Sequence, residues 1–256
     1  MDFTGKRVLI TGSTSGIGLA AADMFRASGA HVAINGLTVD AVSEAMREIG
    51  KERLVAIPGD VGTVAGCQSV VKAAVTALSG LDCLVNNVGI GPLARMMAVT
   101  EAHWDEVIAV NLRSALFCTQ AALPALRESH GSIVMVSSVA GLVAGPTESF
   151  VHAISKAGLV GMARTLALEL APENVRVNCL CPGYIDTPRL RAQNEATNGR
   201  IDRSVSKATP LGRMGTVREC GSAILYLASN DSTYCTGSTL VNDGGCAAQA
   251  CWGTKE

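Results

Sequence analysis

Short apolar runs alternate along this chain with longer stretches in which apolar positions return every three to four residues. The runs Arg7–Thr11, His31–Asn35, Leu54–Pro58, Cys83–Asn86, Ser132–Ser137, Arg176–Cys181 and Ser238–Asn242 are mostly near-continuous in apolar character, as strands buried on both faces should be. Ile17–Ser28, Val39–Ile49, Val64–Leu78, Glu101–Arg127, Val151–Leu170 and Val217–Ala228 follow the helical period instead. Two of these carry start signals: Thr216-Val217-Arg218-Glu219 reads as a capping box, and Thr100 stands where an N-cap belongs. The alternation has no internal repeat or linker. It predicts a single α/β domain over residues 1–256, a doubly wound parallel sheet of about seven strands with helices on both faces. Pro188–Pro210 breaks the pattern, being polar and mixed in charge. It is expected to be a mobile substrate flap, at about 188–210.

Composition narrows the function. A chain of 256 residues that is 48% hydrophobic can bury the core of one such domain. Net charge is -1 and basic runs are lacking, which argues against nucleic acid or an anionic membrane as partner. The N-terminus has no apolar leader, and no uninterrupted apolar stretch reaches the length of a membrane span. A cytoplasmic protein acting on a small-molecule substrate is expected. The nine cysteines are scattered without a Cys-x-x-Cys pair, so reduced, buried thiols are expected and no metal site. Cys179 and Cys181 should share one face of a strand.

Directly after the first strand comes Thr11-Gly12-Ser13-Thr14-Ser15-Gly16-Ile17-Gly18, and a helix follows. Glycines there let the backbone turn tightly and approach a pyrophosphate, whose charge the free N–H groups of the helix start stabilise. The spacing Gly-x-x-x-Gly-x-Gly, the pair Asp60-Val61, the segment Asn86-Asn87-Val88-Gly89, the loop Pro182-Gly183-Tyr184-Ile185-Asp186-Thr187 and the end of Ser155-Lys156-Ala157-Gly158 together resemble the short-chain dehydrogenase/reductase family. The resemblance runs from Val8 to Gly245 and implies a Rossmann-like fold and a nicotinamide cofactor. It also implies cofactor contacts from Gly12, Ser15, Gly16, Ile17, Gly18, Gly36, Leu37, Asp60, Val61, Asn87, Val88, Gly89, Lys156, Pro182, Gly183, Ile185 and Thr187. Adenine would lie against Asp60-Val61, and the nicotinamide amide against the loop after the sixth strand.

Choice between NAD and NADP is made at the end of the second strand, where an acid can bind the ribose hydroxyls and a cation a phosphate. Ile34-Asn35-Gly36-Leu37 offers neither, and Ser15 stands where phosphate-preferring relatives often carry a basic residue. NAD is favoured over NADP, because no cation is available to neutralise the extra phosphate.

At the catalytic end the resemblance assigns Asn111 to hold a water against the lysine, Ser138 to donate to the substrate oxygen, and Lys156 to orient the nicotinamide ribose. The residue four before the lysine, a tyrosine in the family, is His152. Ser138 and His152 are also separated by one residue more than is usual, which the loop Gly145-Pro146-Thr147-Glu148 can absorb. Beside Lys⁺ a phenol is pushed toward phenolate, whereas an imidazole is held neutral. His152 should therefore be a neutral base, suited to accepting an alcohol proton rather than supplying one to a ketone. Its ring ends about 2 Å short of a phenol oxygen, so direct contact needs a repositioned substrate or one relaying water.

The expected function is an NAD-linked oxidoreductase acting on a secondary alcohol or its carbonyl. A lyase or dehydratase on the same scaffold, a silent dinucleotide-binding protein and a deliberate tyrosine-to-histidine replacement fit the same motifs. Relatives imply a homotetramer, with Glu101–Arg127 and Val151–Leu170 in the interface. The substrate would meet the flap and Leu93, Ala94, Val139, Gly145, Glu148 and Tyr184. Tyr184 is a pocket wall first and a stand-in acid second. Arg189 and Arg191 could bind a carboxylate or face water.

Overall fold

The computed structural model describes residues 1–143 and 145–249; Cys251 lies outside them. Among the described residues the strands are β1 (Arg7–Ile10), β2 (His31–Gly36), β3 (Leu54–Pro58), β4 (Cys83–Asn86), β5 (Ser132–Val136), β6 (Arg176–Pro182), β7 (Ile185–Asp186), β8 (Gly215–Thr216) and β9 (Thr239–Asn242). Seven form one parallel sheet in the order β3, β2, β1, β4, β5, β6, β9. β7 and β8 pair in a separate two-residue ribbon that is too short to leave a sequence period.

The helices are α1 (Gly16–Ala27), α2 (Val39–Ile49), α3 (Val64–Leu78), α4 (Glu101–Ile108), α5 (Ser114–Ser129), α6 (Phe150–Leu170), α7 (Pro188–Ala196), α8 (Arg200–Ala208) and α9 (Val217–Ala228). Alternating strand residues divide the core in two. Leu9, Leu84, Ile133 and Val177 face α3, α5 and α6, whereas Ile10, Val32, Val134 and Leu180 face α1, α2 and α9. Each large side chain so buried contributes about 1.5–3 kcal/mol, which is why the apolar runs are continuous. Cys179 and Cys181 lie together on the α6 side, as small core fillers. The eight described cysteines are unbridged, and six of them are buried.

Both start signals form. Thr216 and Glu219 make the reciprocal capping box of α9, and Thr100 accepts from the His103 N–H. Two expectations need correction. The stretch expected as one regular helix over Glu101–Arg127 contains a π-helical segment, Ala109–Arg113, centred on Asn111. By length and composition Glu101–Ser129 would suffice to cross a membrane, but α5 buries Ala115, Cys118, Ala122 and Leu126 in the core. Within Pro188–Pro210, where no helix was expected, two short helices also form. Thr187 caps α7 and Pro188 opens it, and α8 follows with Val205 as its buried apolar anchor. α7 buries none of its residues and α8 offers one apolar pair, Ile201 and Val205, too short a repeat to read as a helical period in the sequence.

The strand order reverses between β1 and β4. That switch point opens a crevice beyond the carboxyl ends of the strands, where ligands bind in folds of this kind. The loops after β1, β4, β5 and β6 all emerge there.

Candidate active site

The loop after β1 is tied to the loop after β4 by close approach and hydrogen bonds. Gly12 has φ +61°, and a Cβ there would lie 2.9 Å from Val88 Cα. One on Gly18 would lie 2.5 Å from Asn87 Nδ2 and 2.6 Å from the Gly12 carbonyl. Only glycine satisfies both positions. Asn87 Nδ2 donates to the Thr11 and Gly12 carbonyls at 3.0 and 2.9 Å, and Thr11 Oγ1 accepts from the Asn87 and Val88 N–H groups.

At the start of α1, Ser15 is extended and its side chain caps nothing; no acid occupies the first turn. The N–H groups of Gly16, Ile17 and Gly18 are thus available to an anion, with the positive end of the helix dipole behind them. Thr187 stands over this opening, its Cγ2 3.4 Å from a Cβ built on Gly16. The loops expected to hold the pyrophosphate and the nicotinamide therefore meet, and the cradle suits a dinucleotide.

At the end of β2 the Asn35 side chain is buried and committed. Its Nδ2 donates to the Ile57 and Gly59 carbonyls, and its Oδ1 accepts from the Gly12 N–H. Gly36 is crowded by Thr14, and Leu37 is 72% exposed. Asp60 accepts from the Gly62 N–H at the crevice rim. Val61 and Ile185 are core residues, so each could offer a cofactor only its backbone. Gly183, after Pro182 at the end of β6, lets the chain pass Asp243: a Cβ there would sit 2.7 Å from the Asp243 Cβ.

Two of the four catalytic candidates, Asn111 and His152, converge on one backbone group that no side-chain pattern could reveal, the carbonyl of Ile90. Asn111, on the π-helical segment, is buried; its Oδ1 accepts from the Ile90 N–H at 2.8 Å and its Nδ2 donates to the Ile90 carbonyl at 2.9 Å. The same Nδ2 donates to Ser155 Oγ, which in turn donates to the His152 carbonyl. His152 Nδ1 lies 3.0 Å from the Ile90 carbonyl. A carbonyl only accepts, so Nδ1 carries the proton and Nε2 presents a lone pair. Burial first, and then the Lys156 charge, lower the His152 pKa to about 4, against a smaller opposing effect of the Ile90 bond. The expected neutrality of His152 is thus supported, with burial rather than the lysine as its main cause.

Lys156 is buried, and its Nζ donates to the Val136 carbonyl at 2.8 Å. Burial lowers its pKa to about 8. Gly89 makes room for it: a Cβ there would lie 3.1 Å from Nζ and 3.5 Å from Asn111 Oδ1. Ser138 Oγ accepts from the Ala140 N–H at 3.2 Å, which leaves its own hydrogen for a ligand oxygen. Its neighbour Ser137 donates to the Lys156 carbonyl and fastens α6 to β5. Ser155 and Ser137 were legible only as polar residues beside expected catalytic ones. Burial raises the Tyr184 phenol, which disfavours its ionisation and weakens it as a stand-in acid.

Comparisons with known proteins agree with this construction. The profile of a family described as enoyl-(acyl carrier protein) reductase matches residues 12–247. Nodulation protein G of Rhizobium sp. (strain N33) is 35% identical over 247 residues, covering 96% of this chain and 98% of that protein. The 3-oxoacyl-(acyl-carrier-protein) reductase FabG of Thermotoga maritima is 36% identical over 253 residues, covering 96% and 99%. A solved structure from Sinorhizobium meliloti 1021, described as a short-chain alcohol dehydrogenase, superposes with a TM-score of 0.91 at 36% identity, covering 97% of this chain and 99% of that one. A family profile matched over residues 12–247, with relatives 35% and 36% identical over nearly their whole length, makes this chain a member of the short-chain dehydrogenase/reductase family of oxidoreductases.

Proposed function

We propose that the protein is an NAD-linked oxidoreductase that oxidises a secondary alcohol, with His152 as general base. The observation that carries this reading is the hydrogen bond from His152 Nδ1 to the Ile90 carbonyl, which leaves Nε2 as an unprotonated acceptor. Bound NAD⁺ would supply the hydride acceptor, held by the glycine loop and Thr187. NAD is preferred to NADP because Asn35 is spent on backbone groups and Leu37 brings no charge to the ribose.

The hydroxyl proton passes to Nε2, directly or through one water, as the carbinol hydrogen leaves with its electron pair and the C–O bond becomes a carbonyl. Ser138 donates to the substrate oxygen and fixes its position. The Lys156 ammonium favours negative charge on that oxygen as the proton departs. Ketone reduction at neutral pH is disfavoured, because the imidazolium it requires is scarce in a group whose pKa lies near 4.

Turnover of a panel of hydroxy acids, sugars and cyclic alcohols, followed by NADH absorbance, tests this in the parent and in His152→Ala. The variant should lose about 100- to 10,000-fold in kcat, the usual worth of a positioned base. Equal rates would exclude the base role. The parent should hold a rate plateau whose acid limb falls near pH 4, where His152 gains its proton, and whose alkaline limb falls near pH 8, where Lys156 loses its charge. An ordinary imidazole would place the acid limb near pH 6.5 instead.

A further inference from the structure

Two arginines open α7, and the structure gives them different surroundings. Arg191 Nε is bonded to Asp186 at 2.7 Å and faces outward. Arg189 reaches across the crevice instead. A Cβ built on Gly91 would meet Arg189 Nη2 at 2.5 Å and His152 Nδ1 at 3.1 Å, so guanidinium and imidazole border the same small space. Gly91 leaves the room in which the guanidinium lies.

Acids of the loops around the crevice are committed elsewhere. Asp186 pairs with Arg191, Glu148 with Arg95, and Asp243 accepts from the Gly245 and Ala247 N–H groups. Among the described residues no carboxylate faces Arg189, His152 or Lys156. Nearby protein atoms desolvate the Arg189 guanidinium and lower its pKa, although the residue as a whole is exposed at the crevice mouth. Three nitrogen groups of positive or potential positive charge thus share one crevice without a counter-ion, and a cation in that setting favours an anionic ligand.

We propose that Arg189 is the anion anchor of the substrate site, and that the substrate is a compact hydroxy acid whose carboxylate pairs with the guanidinium while its hydroxyl meets His152. This rests on the reading of the site as an alcohol-oxidising one. Compactness follows from the shared space at Gly91: the guanidinium borders the Nδ1 edge of the ring, and Nε2 is only one ring width further, so anchor and base fall within the span of one small molecule. The guanidinium fork suits a carboxylate in two-point contact, and a lysine would supply charge without that geometry.

The test measures binding of four- to six-carbon 2-oxo and 3-oxo acids, their methyl esters and a small phosphate ester to the enzyme–NADH complex, by NADH fluorescence, with oxidation of the matching hydroxy acids by NAD⁺ recorded in parallel. The parent should bind one or more acids at least about tenfold more tightly than their esters, and Arg189→Met should weaken acid binding about 10- to 100-fold while leaving ester binding unchanged. Arg189→Lys should recover part of the loss. Gly91→Ala, which must displace the guanidinium and also crowds His152 Nδ1, should mimic the acid-binding loss of Arg189→Met in part. Equal binding of acid and ester by the parent would overturn the proposal. So would a preference for the phosphate ester alone, or a loss in Arg189→Met confined to NADH affinity, which would give the guanidinium to the cofactor diphosphate. Acid binding that depends on Arg189, with no oxidation of any matching hydroxy acid by NAD⁺, would uphold the anchor and refute the oxidoreductase reading.

Discussion

The loop after β1 is positioned by close approach at glycines, with Gly12 against the Val88 backbone and Gly18 against the Asn87 side chain and the Gly12 carbonyl, whereas on the catalytic side the Asn111 and His152 side chains meet at the Ile90 carbonyl. The two constructions tolerate change differently. A backbone contact below van der Waals distance admits no added carbon, so the glycine loop can only be kept or lost. A side-chain network can accept a new member if that member finds a partner, and His152 finds one in Ile90. His152 is therefore accommodated structurally in the crevice.

That contrast can be broken at either end. The largest effect is expected from Gly12→Val, which places a branched side chain at φ +61° against the Val88 Cα. NADH affinity measured by fluorescence should fall by about 100-fold or more, in line with a strain of a few kcal/mol. Retained affinity would show that the loop has slack. Asn87→Ala should act on stability, because it removes both side-chain donors to the Thr11 and Gly12 carbonyls. Urea unfolding should register a loss of about 1–3 kcal/mol for the acceptors left unmet. The smallest effect belongs to the rim of the substrate side, where Arg95 pairs with Glu148 with its own side chain 72% exposed. Arg95→Ala should change stability by no more than about 1 kcal/mol; a larger loss would mean that the rim is as tightly built as the cofactor loop.

Legibility in the sequence follows the same division. The seven sheet strands and the major helices could be read because burial on one or two faces imposes a period, and the glycine loop because its residue types are dictated by backbone geometry. α7 and α8 escaped because they lie at the surface with few apolar anchors. The π-helical segment escaped because Asn111 sits in an otherwise regular helical period and the extra residue in the turn changes no residue type. Lys156 could be placed from its motif, but the Ile90 carbonyl could not. Its role lies in a main-chain atom brought to α6 by tertiary structure, and it sets the tautomer of His152. Arg189 could be named beside Arg191 as a candidate carboxylate ligand but not told apart from it, since only the path of α7 past Gly91 brings Arg189 into the crevice.

The account turns on the protonation of one ring. Heteronuclear NMR of the His152 ring nitrogens, recorded across a pH titration and assigned by comparison with His152→Ala, reads it directly. The structure predicts a neutral imidazole protonated at Nδ1 and bare at Nε2 from about pH 5 to pH 8, gaining its second proton only near pH 4. An imidazolium persisting at neutral pH, or a neutral ring carrying its proton on Nε2, would contradict the assignment of His152 as the base.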